Sequence, residues 1–212
     1  CAQGAGSDCT PAYVGVTAGA SPGNAETASM PSGTATYTGG AMGYVVQPVA
    51  TNSLNVGQFY GTVTLNADFA GSTISGGIKA INVYAVGGGS TVVGTLNDIG
   101  LSATISGSGY SGTTSATGGA GTAFDITGAT GSVAGGFYGP TANETTGVFS
   151  LSGGTNSSEV LGSFGATSSP GPTSNWNGQY FSETATLAGT PGVDLTATVQ
   201  TAAHGRLVAF NE

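Results

Sequence analysis

The chain has 212 residues, enough for one domain with an appendage, and its 40 glycines lack the three-residue period of collagen. Lys79 and Arg206 are the only basic residues against ten acids, and the net charge of −8 repels phosphate, which excludes nucleic acid as a partner. Charged residues make up 6% and hydrophobic residues 38%, a balance that points to a folded domain with a Ser, Thr, Asn and Gly surface rather than to disorder.

Residues 1–31 carry little periodicity and read as a flexible tether or lead-in, with one short strand at Ala12–Thr17. The chain opens Cys1-Ala2-Gln3, as a mature bacterial lipoprotein does when signal cleavage leaves the lipid-bearing cysteine first. Two readings of Cys1 follow. In one it carries a lipid anchor to the outer membrane. In the other it forms a disulfide with Cys9, closing a loop of about nine residues and contributing about 2.6 kcal/mol. A thioether-linked lipid consumes the thiol, so each reading excludes the other, and both place the protein outside the cytoplasm.

From Ser32 the pattern changes to strands separated by Gly-rich turns. Strands are predicted at Gly33–Thr38, Gly43–Gln47 and Gln58–Phe69, the last turning through Ala70-Gly71 into Ser72–Ile78. Further strands are predicted at Lys79–Ala85, Val92–Leu96, Leu101–Ser106, Tyr110–Thr114, Ala123–Thr127, Ser132–Tyr138, Thr146–Leu151 and Glu159–Phe164. Short connections without a helical segment favour an all-β fold, an antiparallel up-and-down barrel. Within it, Gly135-Gly136-Phe137-Tyr138-Gly139-Pro140 places an aromatic pair between glycines, as a barrel corner requires. Phe137 and Tyr138 are expected on opposite faces. At Ser168 the composition breaks: two prolines and the only tryptophan, Trp176, precede a predicted hairpin of Gln179–Leu187 and Val193–Gln200. Trp176 reads as a packing or assembly anchor for this extension, which is too small to hold a core alone.

Several of these segments resemble the β-barrel domain of transferrin-binding protein B and related Gram-negative surface lipoproteins: Gly61–Ile78, Leu101–Thr113, Val160–Ala166 and, most specifically, Asp125–Leu151 with its FYGP and GVFSL stretches. The resemblance spans residues 32–167 and implies an eight-stranded barrel, a lipidated N-terminus and a non-enzymatic role; such proteins bind transferrin, haem or complement factor H. It sets the domain limits at 1–31 for the lead-in, 32–167 for the barrel and 168–212 for a C-terminal β-hairpin extension. Two features depart from the family pattern. The charge content is low for a transferrin-contacting surface, and about 45 residues follow the closing strand.

Catalysis finds no support in the residues. His204 is the only imidazole; it reads as a solvated tail residue, with haem ligation as the functional alternative, and no His/Cys metal set can be assembled. Asp68, Asp98, Asp125, Glu144 and Glu159 lack calcium-loop spacing and read as surface or turn-capping carboxylates, Glu144 as a residue of the polar turn after Pro140. The sequons at Asn143 and Asn156 mark accessible turns. Two functions fit: a binding module for an extracellular protein or a haem-like ligand, with no resident cofactor, or a self-assembling surface subunit whose C-terminal strands pair with a neighbour to give a homo-oligomer or filament. For Cys1, intact mass of the native protein is expected to show a diacyl or triacyl increment; a loss of two hydrogens would instead assign the disulfide.

Overall fold

A computed structural model of the chain describes residues 12–21, 25–50, 53–86, 90–119, 121, 123–169, 179–188, 201–202 and 205–210. The regular elements among them are all strands: β1 (Ala12–Ser21), β2 (Thr34–Ala50), β3 (Ser53–Asp68), β4 (Thr73–Ala85), β5 (Val92–Thr95), β6 (Asp98–Ser106), β7 (Gly109–Thr117), β8 (Ala129–Tyr138), β9 (Glu144–Gly153), β10 (Ser158–Ser169), β11 (Gln179–Ala188), β12 (Thr201–Ala202) and β13 (Gly205–Phe210). Eight of them close an antiparallel up-and-down barrel in the order β2-β3-β4-β6-β7-β8-β9-β10, with β10 pairing back to β2. β5 is an extra strand on the far end of β4, where it pairs Asn82 with Thr95 and Val83 with Gly94.

The interior is apolar and full. Tyr37, Phe59, Phe137, Phe149 and Phe164 are completely enclosed along with Leu65, Ile78, Ile99 and Leu151. Room for these rings comes from glycines on the neighbouring strand. Phe164 pairs across the ladder with Gly147, Phe149 with Gly162, Tyr110 with Gly135, and Phe59 with Gly43. In each pair the ring reaches over the glycine, where a Cβ would collide with it. A Cβ at Gly147 would sit 2.5 Å from the Phe164 ring.

The outer wall has the opposite character. One row runs Thr36–Asn66–Ser75–Ser102–Thr113–Ser132 across β2, β3, β4, β6, β7 and β8 in strict register, every member exposed. An apolar interior with a hydroxyl-lined exterior suits water outside, the reverse of a barrel embedded in lipid.

Several local expectations change. Gly33–Thr38 and Gly43–Gln47 form one continuous 17-residue strand, because glycine in a strand interior permits close packing and need not end it. Ser72–Ile78 and Lys79–Ala85 also fuse, into β4. The inward positions there switch from Ile74 and Ile78 to Ile81 and Val83, and a bulge absorbs the extra residue: Tyr60 pairs with Asn82 and Thr62 with Lys79, with Ala80 at φ 52°. Ala123–Thr127 is not a strand. It forms a loop that touches the sheet through one parallel bridge, Phe124 to Leu96.

The lead-in and the extension meet in a second sheet, β11-β1-β13-β12. β11 pairs along its whole length with β1; its expected hairpin partner, Val193–Gln200, lies outside the described residues. This sheet lies against the outside of β2, β9 and β10. There the outward residues Thr146, Val148, Leu161 and Ser163 are buried, whereas β6 and β7 keep the alternation of a wall facing water.

Gly147→Ala and Gly162→Ala are each expected to destabilise the barrel by about 1–3 kcal/mol through overpacking. Gly119→Ala, where a Cβ meets open space, should be nearly neutral. Urea unfolding measures all three. Combining Gly147→Ala with Phe164→Leu should recover part of the loss, because the smaller side chain vacates the contested space.

Candidate functional site at the free end of the barrel

The chain enters the barrel at Thr34 and leaves it at Ser169, and Ser169 pairs with Thr36, so both passages lie at one end. The Gly135–Pro140 aromatic block of the sequence closes that entry end. Phe137 is enclosed by Tyr37, Phe69 and Tyr110, with ring centroids 5.7, 5.2 and 5.3 Å away. The Tyr37 hydroxyl donates to the Ala142 carbonyl at 2.6 Å, and burial pushes its phenol well above the ordinary range. Tyr138 lies on the outward side yet is only 7% exposed. The lead-in pairs with it there: Thr27 N–H donates to the Phe137 carbonyl and Gly139 N–H to that of Ala25. Gly139 turns the chain at φ 86°, Pro140 is exposed, and Gly135 and Gly136 lie buried in β8.

Glu144 is corrected by this arrangement. It is not a residue of the polar turn but the first of β9, buried to 4% exposure and paired between Tyr138 and Thr167. At the Asn143 sequon the asparagine is half-buried and Glu144 and Thr145 are buried, whereas Asn156 is exposed.

At the opposite, free end, the loop between β7 and β8 drops two side chains into the barrel. Phe124 is 1% exposed and Ile126 fully enclosed. A set of polar side chains distant in sequence holds this loop. Asn97 Oδ1 accepts from the Ile126 and Gly121 amides at 2.8 and 3.3 Å, and its Nδ2 donates to Thr127 Oγ1 at 3.1 Å. Gln47 and Asn156 both donate to the Asp125 carbonyl, and Gln47 also reaches Ser158 Oγ at 3.1 Å. Thr155 donates N–H and hydroxyl to the Thr127 carbonyl. Asp125 closes a local turn by accepting the Thr127 hydroxyl at 2.6 Å and its amide at 2.9 Å. These two bonds, the hydroxyl first, hold its carboxyl below the usual carboxylate range, with a smaller contribution from Asn97.

Beside the loop, β3 and β4 continue past β6 as a flap extended by β5. Its inner face is covered, with Phe124 against Gly57 and Ala123 against Gly94. Its outer face and tip carry Leu54, Tyr60, Val86, Val92 and Val93, each 41–51% exposed; Tyr60 and Tyr84 meet edge-on at 5.5 Å. The free end is therefore a loop fixed from below by hydrogen bonds next to an apolar flap.

Cys1, Cys9, Trp176 and His204 lie outside the described residues. Among the described residues no three His, Cys, Asp or Glu gather into a metal-holding group. Asn97 and Gln47, which fix the loop, were not legible in the sequence. Asp125-x-Thr127 was a usable turn signal, but its partners lie 28 to 78 positions away in the chain.

A closed eight-stranded barrel with one extra strand and a filled core is the architecture to which the comparisons attach. A family model described as "C-lobe and N-lobe beta barrels of Tf-binding protein B" matches residues 30–168, and the chain belongs to that family. No curated protein matches the sequence. Similar solved structures include a surface lipoprotein, at 20% identity and a TM-score of 0.43 over 69% of this chain and 66% of that one. A transferrin binding protein B from Actinobacillus pleuropneumoniae H49 shares 20% identity with a TM-score of 0.44, over 69% of this chain and 66% of that one. The isotype 1 transferrin binding protein B of serogroup B Neisseria meningitidis shares 23%, with a TM-score of 0.44 over 68% of this chain. The chain spans just under two thirds of the first two relatives and 27% of the third.

Asp125 supplies a prediction with a defined sign. A depressed carboxyl pKa contributes stability that is present above the unfolded value and lost as pH falls through the folded one. The Thr127 amide resonance should therefore titrate below the ordinary carboxylate range, and Asp125→Asn should abolish that titration.

Proposed function

We propose that the chain is a non-enzymatic binding module displayed on the outside of a bacterial cell, and that it engages an extracellular protein through the free end of the barrel. Membership of the transferrin-binding protein B barrel family over residues 30–168 carries the binding reading. The topology supports the placement. Both chain passages occupy the entry end, so the free end is the face with room for a partner. Enclosed rings fill the core, which directs a ligand to the surface rather than to a lumen. The pinned loop favours binding as well, since a surface ordered beforehand loses less entropy on association. Transferrin, which relatives of this family bind by name, is the first partner to try. The low charge of the chain favours contacts made by hydroxyl, amide and apolar groups over ion pairs.

Haem finds no comparable support in the family model or its relatives, and His204 lies outside the described residues. Assembly through the C-terminal strands is not carried forward either. Among the described C-terminal strands, β11 and β13 pair with β1 of the same chain, while Val193–Gln200, the other strand of the hairpin on which that reading rested, lies outside the described residues.

The test is retention of host serum proteins, transferrin among them, on the immobilised chain and on a Thr91→Arg, Gly119→Arg variant. Both positions are exposed, and a Cβ at Gly119 meets open space, so the fold should tolerate the pair. The expected result is a protein retained by the native chain and reduced at least tenfold on the variant. Equal retention by both, or none by either, would overturn the reading.

A further inference from the structure

At the entry end two segments share one edge of β8. β7 pairs with β8 as far as Gly109 and Gly136, and the next bond on that edge runs from the Phe137 N–H to the Ser108 carbonyl at 2.7 Å. From there the lead-in takes over. Thr27 N–H donates to the Phe137 carbonyl at 3.0 Å, and Gly139 N–H donates to the Ala25 carbonyl at 2.8 Å. The Thr27 hydroxyl donates to the Gly139 carbonyl at 2.8 Å, and Glu26 Oε1 accepts from the Ser108 hydroxyl. Glu26 bridges Tyr138 on this edge, while Glu144 of β9 pairs with Tyr138 on the other.

We propose that residues 25–30 form a strap that opens and closes over an intact barrel and guards the edge of β8 at Phe137–Gly139. The barrel does not need the strap for closure, because its eight strands pair in a complete ring, β10 with β2, without it. The strap is also held almost wholly by polar contacts. Ala25, Glu26, Ala28 and Ser29 are exposed, Thr27 alone is buried, and Met30 is only partly buried against the core. Each hydrogen bond given up on opening is exchanged for one to water, so a segment with so little apolar burial opens at a lower free energy than the core strands. A hinge stands at its downstream end. Gly33 has φ 89° with open space where a Cβ would point, and the Phe69 N–H holds its carbonyl, so the chain is fixed to the barrel just beyond the strap. Opening releases the Phe137 carbonyl and both backbone groups of Gly139. Closing pairs them again within the chain, which denies that edge to any other strand.

Amide hydrogen exchange of the full chain, followed residue by residue by NMR, tests the strap. The Thr27 and Gly139 amides should exchange at least tenfold faster than those of the β9–β10 ladder. Their opening should be insensitive to low urea, whereas ladder exchange should quicken with urea as global unfolding does. Thr27→Val, which removes the hydroxyl bond, should speed exchange at Gly139 by about fivefold, the worth of one such bond, and leave the ladder unchanged. Thr27→Ser, which keeps the hydroxyl, should restore the native rate, and near-ultraviolet circular dichroism checks that each variant is folded. A Gly139 amide that exchanges only at the rate and urea dependence of the ladder overturns the inference. So does a Thr27→Val chain in which the Gly139 rate stays native or rises only in step with the ladder. The strap lies at the entry end, so failure here leaves the partner-binding reading of the free end to its own test.

Discussion

Everything else in this barrel depends on aromatic rings that occupy the space left by glycines of the adjacent strand. Eight strands enclose an interior only wide enough for side chains. Phe59, Tyr110, Phe149 and Phe164 fill it because Gly43, Gly135, Gly162 and Gly147 leave the space opposite them empty. Burial of these rings provides the apolar driving force that a chain with so few large side chains elsewhere would lack. The same device fixes the register. Slipping one strand by one residue would put a ring opposite a Cβ and turn the alternating hydroxyls inward.

A core closed in this way pushes function to the outside. The entry end is occupied by the chain itself, through Phe137 among three rings and the lead-in paired against Tyr138. One wall lies under the second sheet. The free end and the flap beside it remain, and they differ in kind. The loop is held by Asn97, Gln47, Asn156 and Thr155, each directing hydrogen bonds to its backbone or to Thr127. The flap instead presents apolar surface. A rigid polar loop beside an apolar wall offers both orientation and contact area, the two components that interfaces combine.

Much of the fold was legible because its signals are local. Alternation of Val63, Leu65 and Ala67 with Thr and Asn marks a strand wherever it occurs, and Gly-rich breaks mark the turns. The family resemblance of Asp125–Leu151 rested in part on Phe137–Pro140, which proves to be the hub of the entry end. Mistakes arose where a local rule met a distant partner. Phe124 and Ile126 alternate as a strand would, yet they form a plug, because Asn97 captures the amides of Gly121 and Ile126. Glu144 follows a turn sequence, yet it begins a buried strand between Tyr138 and Thr167. The switch of inward positions between Ile78 and Ile81 was readable as a bulge, but only with the partner strand in view.

By itself the sequence determined an all-β chain and an antiparallel barrel from about residue 32 to 167, since strand periodicity and turn signals are properties of neighbouring residues. Only the tertiary structure decided that the lead-in and the C-terminal strands join in one sheet and that this sheet covers β9, β10 and β2. Those outcomes depend on pairings between segments more than 150 residues apart, such as Tyr13 with Leu187. No short-range pattern encodes a contact of that span, because its energy exists only once the barrel has closed and offers a wall to pack against.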